Sequence, residues 1–304
     1  MKKRLYYIRA GEVVKICICF LLCLVAFCSC SLEIDIIEHL NSKATLTDND
    51  PKVHFIDVGQ GDSIFIELPN SQTMLIDAGE SGNGELIENY ISRECGYDKI
   101  DYLIATHPHA DHIGSMAYIV YNMDIGSIYM TEATSNTKTF EKLLLAISEK
   151  GLKIKRALAG INIIKEDNLS IDIIGPIEVD EDDLNNTSII IKLKYGEISF
   201  LFTGDAEKKE LDSIKANMSA DVLKVAHHGS NTSTYQKFLT RVNPSVAVIS
   251  VGEDNSYYHP HKSTLRLLES NDISTYRTDE DGTVVVSFTQ SDFDISTSKN
   301  SAKK

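Results

Sequence analysis

Asp101-Tyr-Leu-Ile-Ala-Thr-His-Pro-His-Ala-Asp-His-Ile-Gly-Ser115 packs His107, His109, Asp111 and His112 into six residues. Tyr102 to Ala105 is a short apolar run of the kind that makes a buried strand, and Pro108 pushes His107 away from helical dihedrals. The two histidines flanking Pro108 therefore leave an extended backbone on the same side. A helix-like pattern starting near Asp111 and His112 adds two more groups from the turn after the strand. Borderline divalent ions accept imidazole nitrogen and carboxylate oxygen, and two-metal hydrolase centres hold their ions about 3.5–4 Å apart. The plain alternative is a polar surface loop with an accidental His pair. Four metal-type ligands crowded at one strand end argue against it.

The flanking chain reads as α/β. Residues 53–57, 63–68 and 73–76 are apolar-rich runs separated by Gly-Gln-Gly and Pro-Asn-Ser turns, which predicts a β-meander. Asp57 and Asp62 flank the first turn, and Asp77 ends the third run ahead of Ala78-Gly79. An aspartate there is a turn former or, beside a metal cluster, an acceptor for the N–H of a ligand imidazole. The stripe Leu86, Ile87, Tyr90, Ile91 predicts a helix over 84–95. Further helices are expected at 116–121, 139–148, 206–214 and 263–269. Strands are expected at 127–130, 153–156, 162–164, 171–174, 189–195, 197–202, 222–226, 246–250 and, last, 283–288.

Three later motifs carry polar groups at or near strand ends: Thr203-Gly-Asp205, His227-His228-Gly229-Ser230 and His259-Pro-His261. Seven of the nine histidines fall in this last pair of motifs or in the 107–112 run. His39 and His54 lie outside and read as structural. Ligands scattered over distant strand ends suit a scaffold whose site runs along one edge of its sheets.

Length and composition set the frame. With 304 residues the chain can bury one sizeable α/β domain, expected over 52–289. Its net charge of −14 excludes a general nucleic-acid-coating protein, though not an enzyme that holds phosphate through metal ions. Lys2, Lys3, Arg4, Arg9 and Lys15 precede the apolar run from Ile16 to Phe27, the n- and h-regions of an export signal. That run is shorter than the ~20 residues of a comfortable membrane span. Cys30 after Ser29 resembles a lipoprotein cleavage site. Lipidation there is preferred, an uncleaved anchor over residues 1–30 is the alternative, and either predicts an extracytoplasmic protein tethered to the membrane or secreted. Residues 31–51 read as a linker and 290–304 as a disordered tail. Five of six cysteines lie in the first thirty residues, leaving Cys95 in the body and no internal disulfide.

Taken in order, FIDVGQGDS (55–63), MLIDAG (74–79), THPHADHIGS (106–115), NNTS (185–188), LFTGD (201–205), LKVAHHGS (223–230) and HPH (259–261) resemble the metallo-β-lactamase superfamily. The resemblance is to the branch holding the hydrolase domain of competence proteins of the ComEC/Rec2 type. It implies a four-layer αββα sandwich with one or two divalent metal ions, zinc or manganese, at the rim between two sheets. It implies that His107 and His109 hold one ion, Asp111 and His112 the other, that Asp205 bridges, and that His227 rather than His228 completes the second site. His228, His259 and His261 become candidates for holding a phosphate or donating a proton to the leaving group, with Asp111 also orienting the attacking water. Asp57 and Asp77 are candidate supporting residues. The family's further histidine on the first ion has no counterpart between His112 and His227. Asn185 or Asn186 stands near its place, and an amide oxygen is the weaker ligand.

The activity implied is a metal-dependent phosphodiesterase or nuclease acting outside the membrane through a metal-held hydroxide, with DNA as one candidate phosphodiester substrate. A cell-surface phosphorylcholine or teichoic-acid esterase and a non-catalytic surface binding module are the alternatives. No partner protein is evident, and no second long apolar run follows residue 30, so DNA import by this chain alone is not expected.

Overall fold

Alternating apolar residues build two sheets in the computed structural model, which describes residues 46, 47 and 49–299. The expected export segment, Cys30 and most of the linker lie outside the described residues. The meander is β1 (Lys52–Phe55), β2 (Ile64–Glu67) and β3 (Thr73–Ile76), all antiparallel neighbours. The chain then crosses through the Gly84–Asn89 helix and a π-helical turn, Tyr90–Glu94, to β4 (Lys99–Ala105), parallel to β3. Parallel additions β5 (Asp124–Met130) and β6 (Ile154–Arg156) follow. On the far edge lie β14 (Val284–Phe288) and β15 (Phe293–Thr297), giving the order β15-β14-β1-β2-β3-β4-β5-β6.

The second sheet contains β7 (Ile161–Lys165), β8 (Leu169–Gly175), β9 (Ile190–Tyr195), β10 (Ile198–Phe202), β11 (Val222–Lys224), β12 (Val246–Ile249) and β13 (Ser274–Arg277). Its order is β13-β12-β11-β10-β9-β8-β7. β7 to β10 form an antiparallel meander, and β10 to β13 run parallel.

The inner faces meet in one core, where Phe55, Ile64 and Met74 of the first sheet pack with Ile191, Phe200 and Phe202 of the second. Full burial of each such side chain contributes roughly 1.5–3 kcal/mol. Helices cover both outer faces, through Ile87, Met116 and Leu143 on one side and Leu211, Phe238 and Leu268 on the other. The Lys138–Glu149 helix shows why: Phe140, Leu143, Ala146 and Ile147 are buried on one stripe, and Thr137 caps its start by accepting from the Phe140 N–H. Helix, sheet, sheet, helix is the expected four-layer αββα sandwich. The parallel crossovers bring the carboxyl ends of β3, β4, β10, β11 and β12 to one rim.

The expected disordered tail is corrected over its described part, residues 290–299. Residues 293–297 form β15, antiparallel to β14, with Phe293 and Ile295 packed against the core. The tail's Ser, Asp and Lys content masked a period-two pattern, which at a half-exposed sheet edge needs only alternate apolar residues. The domain therefore extends past 289. β13 and a short Thr278–Asp281 helix were also not expected.

Candidate metal centre

β4 leads into the first candidate ligands. His109 sits in extended conformation just ahead of the Ala110–Ile113 helix, so the chain turns sharply and points Asp111 and His112 back toward the rim. His107 Nε2 and His109 Nδ1 lie 3.0 Å apart, within hydrogen-bond distance of each other. Asp111, His112, Asp205 and His228 each offer one atom, all within 4.8 Å of one another. His112 Nε2 is 3.2 Å from Asp205 Oδ1, and His228 Nε2 is 3.2 Å from Asp111 Oδ2. Asp205 Oδ2 stands 3.5 Å from His228 Nε2 and 4.0 Å from His107 Nε2, between the two groups. The cleft above has a volume of about 430 Å³.

Asp77 holds the His112 ring: Nδ1 is 2.7 Å from its Oδ2, while Thr106 donates its N–H to Oδ1 and its hydroxyl to Oδ2. That contact directs His112 Nε2 into the cluster. Burial pushes the Asp77 carboxyl up. Burial works against charge on His112, yet Asp205, Asp77 and Asp111 hold it well above its ordinary value. Burial likewise opposes charge on His228, which Asp205, Asp111 and Asp62 nevertheless raise to about 10. His107, buried beside His112, is held well below the usual imidazole range.

Sequence reasoning and structure differ over the paired histidines. Both adopt left-handed backbone, φ 51° at His227 and 50° at His228, and β11 ends at Lys224 instead of running to Ala226. Strand alternation therefore does not carry through to them. His228 turns fully inward, with Nδ1 2.9 Å from the Ser250 carbonyl. His227 faces Glu207 at 3.2 Å, and its side chain is 22% exposed at the rim. His228 joins the second group, and His227 stays at its rim with Nε2 3.7 Å from Asp205 Oδ2.

The two asparagines differ in placement. Asn186 accepts the N–H groups of Glu207 and Glu210 and donates to Asp183, so it is built into the start of the Lys208–Ser213 helix. Asn185 lines the cleft with a buried Oδ1 that lacks a hydrogen-bond partner. Asn186→Ala is expected to destabilise the fold by about 1–3 kcal/mol, since two backbone donors lose their acceptor; chemical denaturation measures it.

Two further expectations are corrected. Asp57 accepts the Gly59 N–H and lies 3.5 Å from Lys299, a turn residue outside the cleft lining. His261 accepts from the Asn231 N–H and precedes the Lys262–Ser270 helix, lining a neighbouring depression instead of the cleft. His259 does line the cleft, stacked on Tyr257 with centroids 5.8 Å apart. Burial and the adjacent histidines lower His259 to about 4. Sequence reasoning passed over Lys224, whose signal was a cation inside an otherwise apolar strand.

The buried Nε2 atoms of His112 and His228 and Oδ1 of Asp205 have no hydrogen-bond partner. Such orphans are costly unless something accepts them, and this nitrogen and oxygen set fits a divalent cation. Loading requires neutral His228. With that group charged up to about pH 10, metal affinity is expected to rise about tenfold per pH unit per proton released across the neutral range, checked by calorimetry in buffers of different ionisation enthalpy.

Over residues 56–253 the chain matches the family described as the metallo-beta-lactamase superfamily. It is similar to ComE operon protein 3 of Bacillus subtilis strain 168, 32% identical over 252 residues covering 77% of this chain and 32% of that protein. Recombination protein 2 of Haemophilus influenzae is 31% identical over 253 residues, covering 80% of this chain and 30% of that one. Competence protein ComA of Neisseria gonorrhoeae is 26% identical, covering 77% and 32%. The chain thus spans about a third of the length of these relatives. Among solved structures, CmlA, a diiron β-hydroxylase from Streptomyces venezuelae, is similar with a TM-score of 0.54 at 12% identity, covering 80% of this chain and 55% of that one. At that identity the likeness concerns the fold alone.

Proposed function

Because the chain belongs to the metallo-beta-lactamase superfamily, with competence proteins of the ComEC/Rec2 type as its relatives, we propose that it is a metal-dependent phosphodiesterase, with DNA among its candidate substrates. The observation that carries this reading is the convergence of Asp111, His112, Asp205 and His228, with buried Nε2 and Oδ1 atoms left without a hydrogen-bond partner, at the floor of an open cleft. One ion would be held by His107, His109 and Asn185, the other by Asp111, His112 and His228, with Asp205 shared. Bound divalent ions supply positive charge that polarises a phosphoryl oxygen and eases deprotonation of a water. The protein's own residues orient that chemistry. Asp77 locks the His112 ring, and Asp111 presents a carboxylate toward the cleft. His259, lowered to about 4, is neutral at physiological pH. It serves as a hydrogen-bonding contact for substrate, not as a cationic acid. The acidic chain relies on this centre rather than on its surface to meet a phosphodiester.

Purified protein loaded with Mn²⁺ or Zn²⁺ is expected to hydrolyse a chromogenic phosphodiester and an oligonucleotide, and Asp111→Ala to abolish both. Equal turnover by that variant, or no turnover above buffer across a phosphodiester panel, removes the reading. Release of choline from cell walls without nuclease activity would favour the surface-esterase alternative. Asn185→His is expected to tighten the first zinc by about tenfold, the scale on which changes around a ligand shell act. Action outside the membrane through an N-terminal anchor is part of the proposal. A membrane-bound chain whose mass spectrum still begins at Met1 would rule out lipidation at Cys30.

A further inference from the structure

Resting on that reading of the centre, we propose that Asp62 and Lys224 are positioning residues which set the orientation of the His228 ring for the second ion. Lys224 is fully buried at the end of β11, where Val222, Leu223 and Val225 beside it in the sequence are also buried. Its Nζ lies 2.8 Å from Asp62 Oδ2 and donates to the Val225 carbonyl at 3.0 Å. A buried ion pair of this kind is a poor source of stability, because desolvation offsets the Coulombic gain, and apolar groups of the same shape do as well or better.

The geometry points to another role. Asp62 Oδ1, buried and without an aligned hydrogen bond, stands 3.3 Å from His228 Nδ1. The Ser250 carbonyl is 2.9 Å from the same nitrogen. Two acceptors face one edge of the ring, so in the neutral ring that metal loading requires the proton belongs on Nδ1 and the Nε2 lone pair is left for the cluster. Lys224 fixes the Asp62 carboxylate by occupying its other oxygen. The backbone of Asp62 extends the same control. Its N–H donates to the Asp111 carbonyl at 3.1 Å, and its own carbonyl accepts from the Gly79 N–H at 2.8 Å. One residue thus ties the His228 ring to the Asp111 loop and to the turn that carries Asp77.

The test is the double variant Asp62→Asn with Lys224→Met in the full chain, which removes both charges while keeping shape. It is expected to melt close to the wild type while its affinity for the second zinc, read by calorimetry, falls about 10–100-fold. Lys224→Arg is expected to retain both ions. Native affinity for two zincs in the double variant overturns the proposal. Should that variant not fold, nitrogen-15 NMR of zinc-loaded wild type decides: a His228 ring protonated on Nδ1 supports it, and a ring protonated on Nε2 overturns it. These readouts need no substrate, so a wild type that binds two zincs yet hydrolyses no phosphodiester would sink the proposed activity while leaving this inference standing.

Discussion

Asp205→Ala is expected to lower phosphodiesterase kcat/KM by on the order of 10³-fold and to strip the protein of bound metal, while circular dichroism stays native. The carboxylate reaches both candidate ligand clusters, at 3.2 Å and 3.5 Å from the second and 4.0 Å from the first. Metal ions contribute several kcal/mol of charge stabilisation in such reactions, and each 1.36 kcal/mol is tenfold in rate. Its N–H is held by the Ser188 hydroxyl, so the backbone at 205 does not depend on the side chain. Burial opposes its charge, but His112 and His228 hold the Asp205 carboxyl well below its ordinary value. In metal-free wild type this adds stability that is fully present above the unfolded carboxyl pKa, about 3.9, and is lost as pH falls through the lower folded value. The variant lacks that acid-sensitive component. Metal content by plasma mass spectrometry and acid titration followed by circular dichroism check both parts; full metal occupancy in Asp205→Ala would refute the shared-ligand role.

Gly61→Ala is expected to cost about 3 kcal/mol or more and to weaken metal binding in the same stroke. Gly61 has φ +125°, and a Cβ there would overlap the Asp111 carbonyl oxygen and crowd the Gly79 Cα at 3.3 Å. Backbone strain of this kind costs about 1–3 kcal/mol and overpacking a similar amount. The obstruction is backbone, so no rotamer change relieves it. Relief requires the turn to move, which breaks the Asp62 N–H bond to Asp111 and shifts a ligand loop. For a domain of this size 1 kcal/mol moves Tm by about 2–4 °C, so the expected fall is roughly 10 °C, read by calorimetry. A melting point unchanged from wild type would show that the turn does not clamp the loop.

Much of the fold was legible because its signals are local. The Val53–Ile76 meander reads from alternation and turn residues, and its strands fall within a residue or two of expectation. The Lys138–Glu149 helix reads from its stripe. β15 did not, because an edge strand buries little and Phe293 and Ile295 alone carry its pattern.

The amino-acid sequence by itself determined that metal-type ligands gather at strand ends and that the chain alternates strand and helix, since both follow from neighbours in the chain. Only the tertiary structure decided that His228 and not His227 turns inward, that Asn185 and not Asn186 faces the cleft, and that Asp62 pairs with Lys224. Each choice depends on where a side chain points after a left-handed or tight turn. Each also depends on a partner more than fifteen residues away in the chain: the Ser250 carbonyl for His228, the Glu207 and Glu210 N–H groups for Asn186, and Lys224 for Asp62. Such directions are set by close packing and by the cost of burying an unpaired polar group, neither of which a linear pattern records.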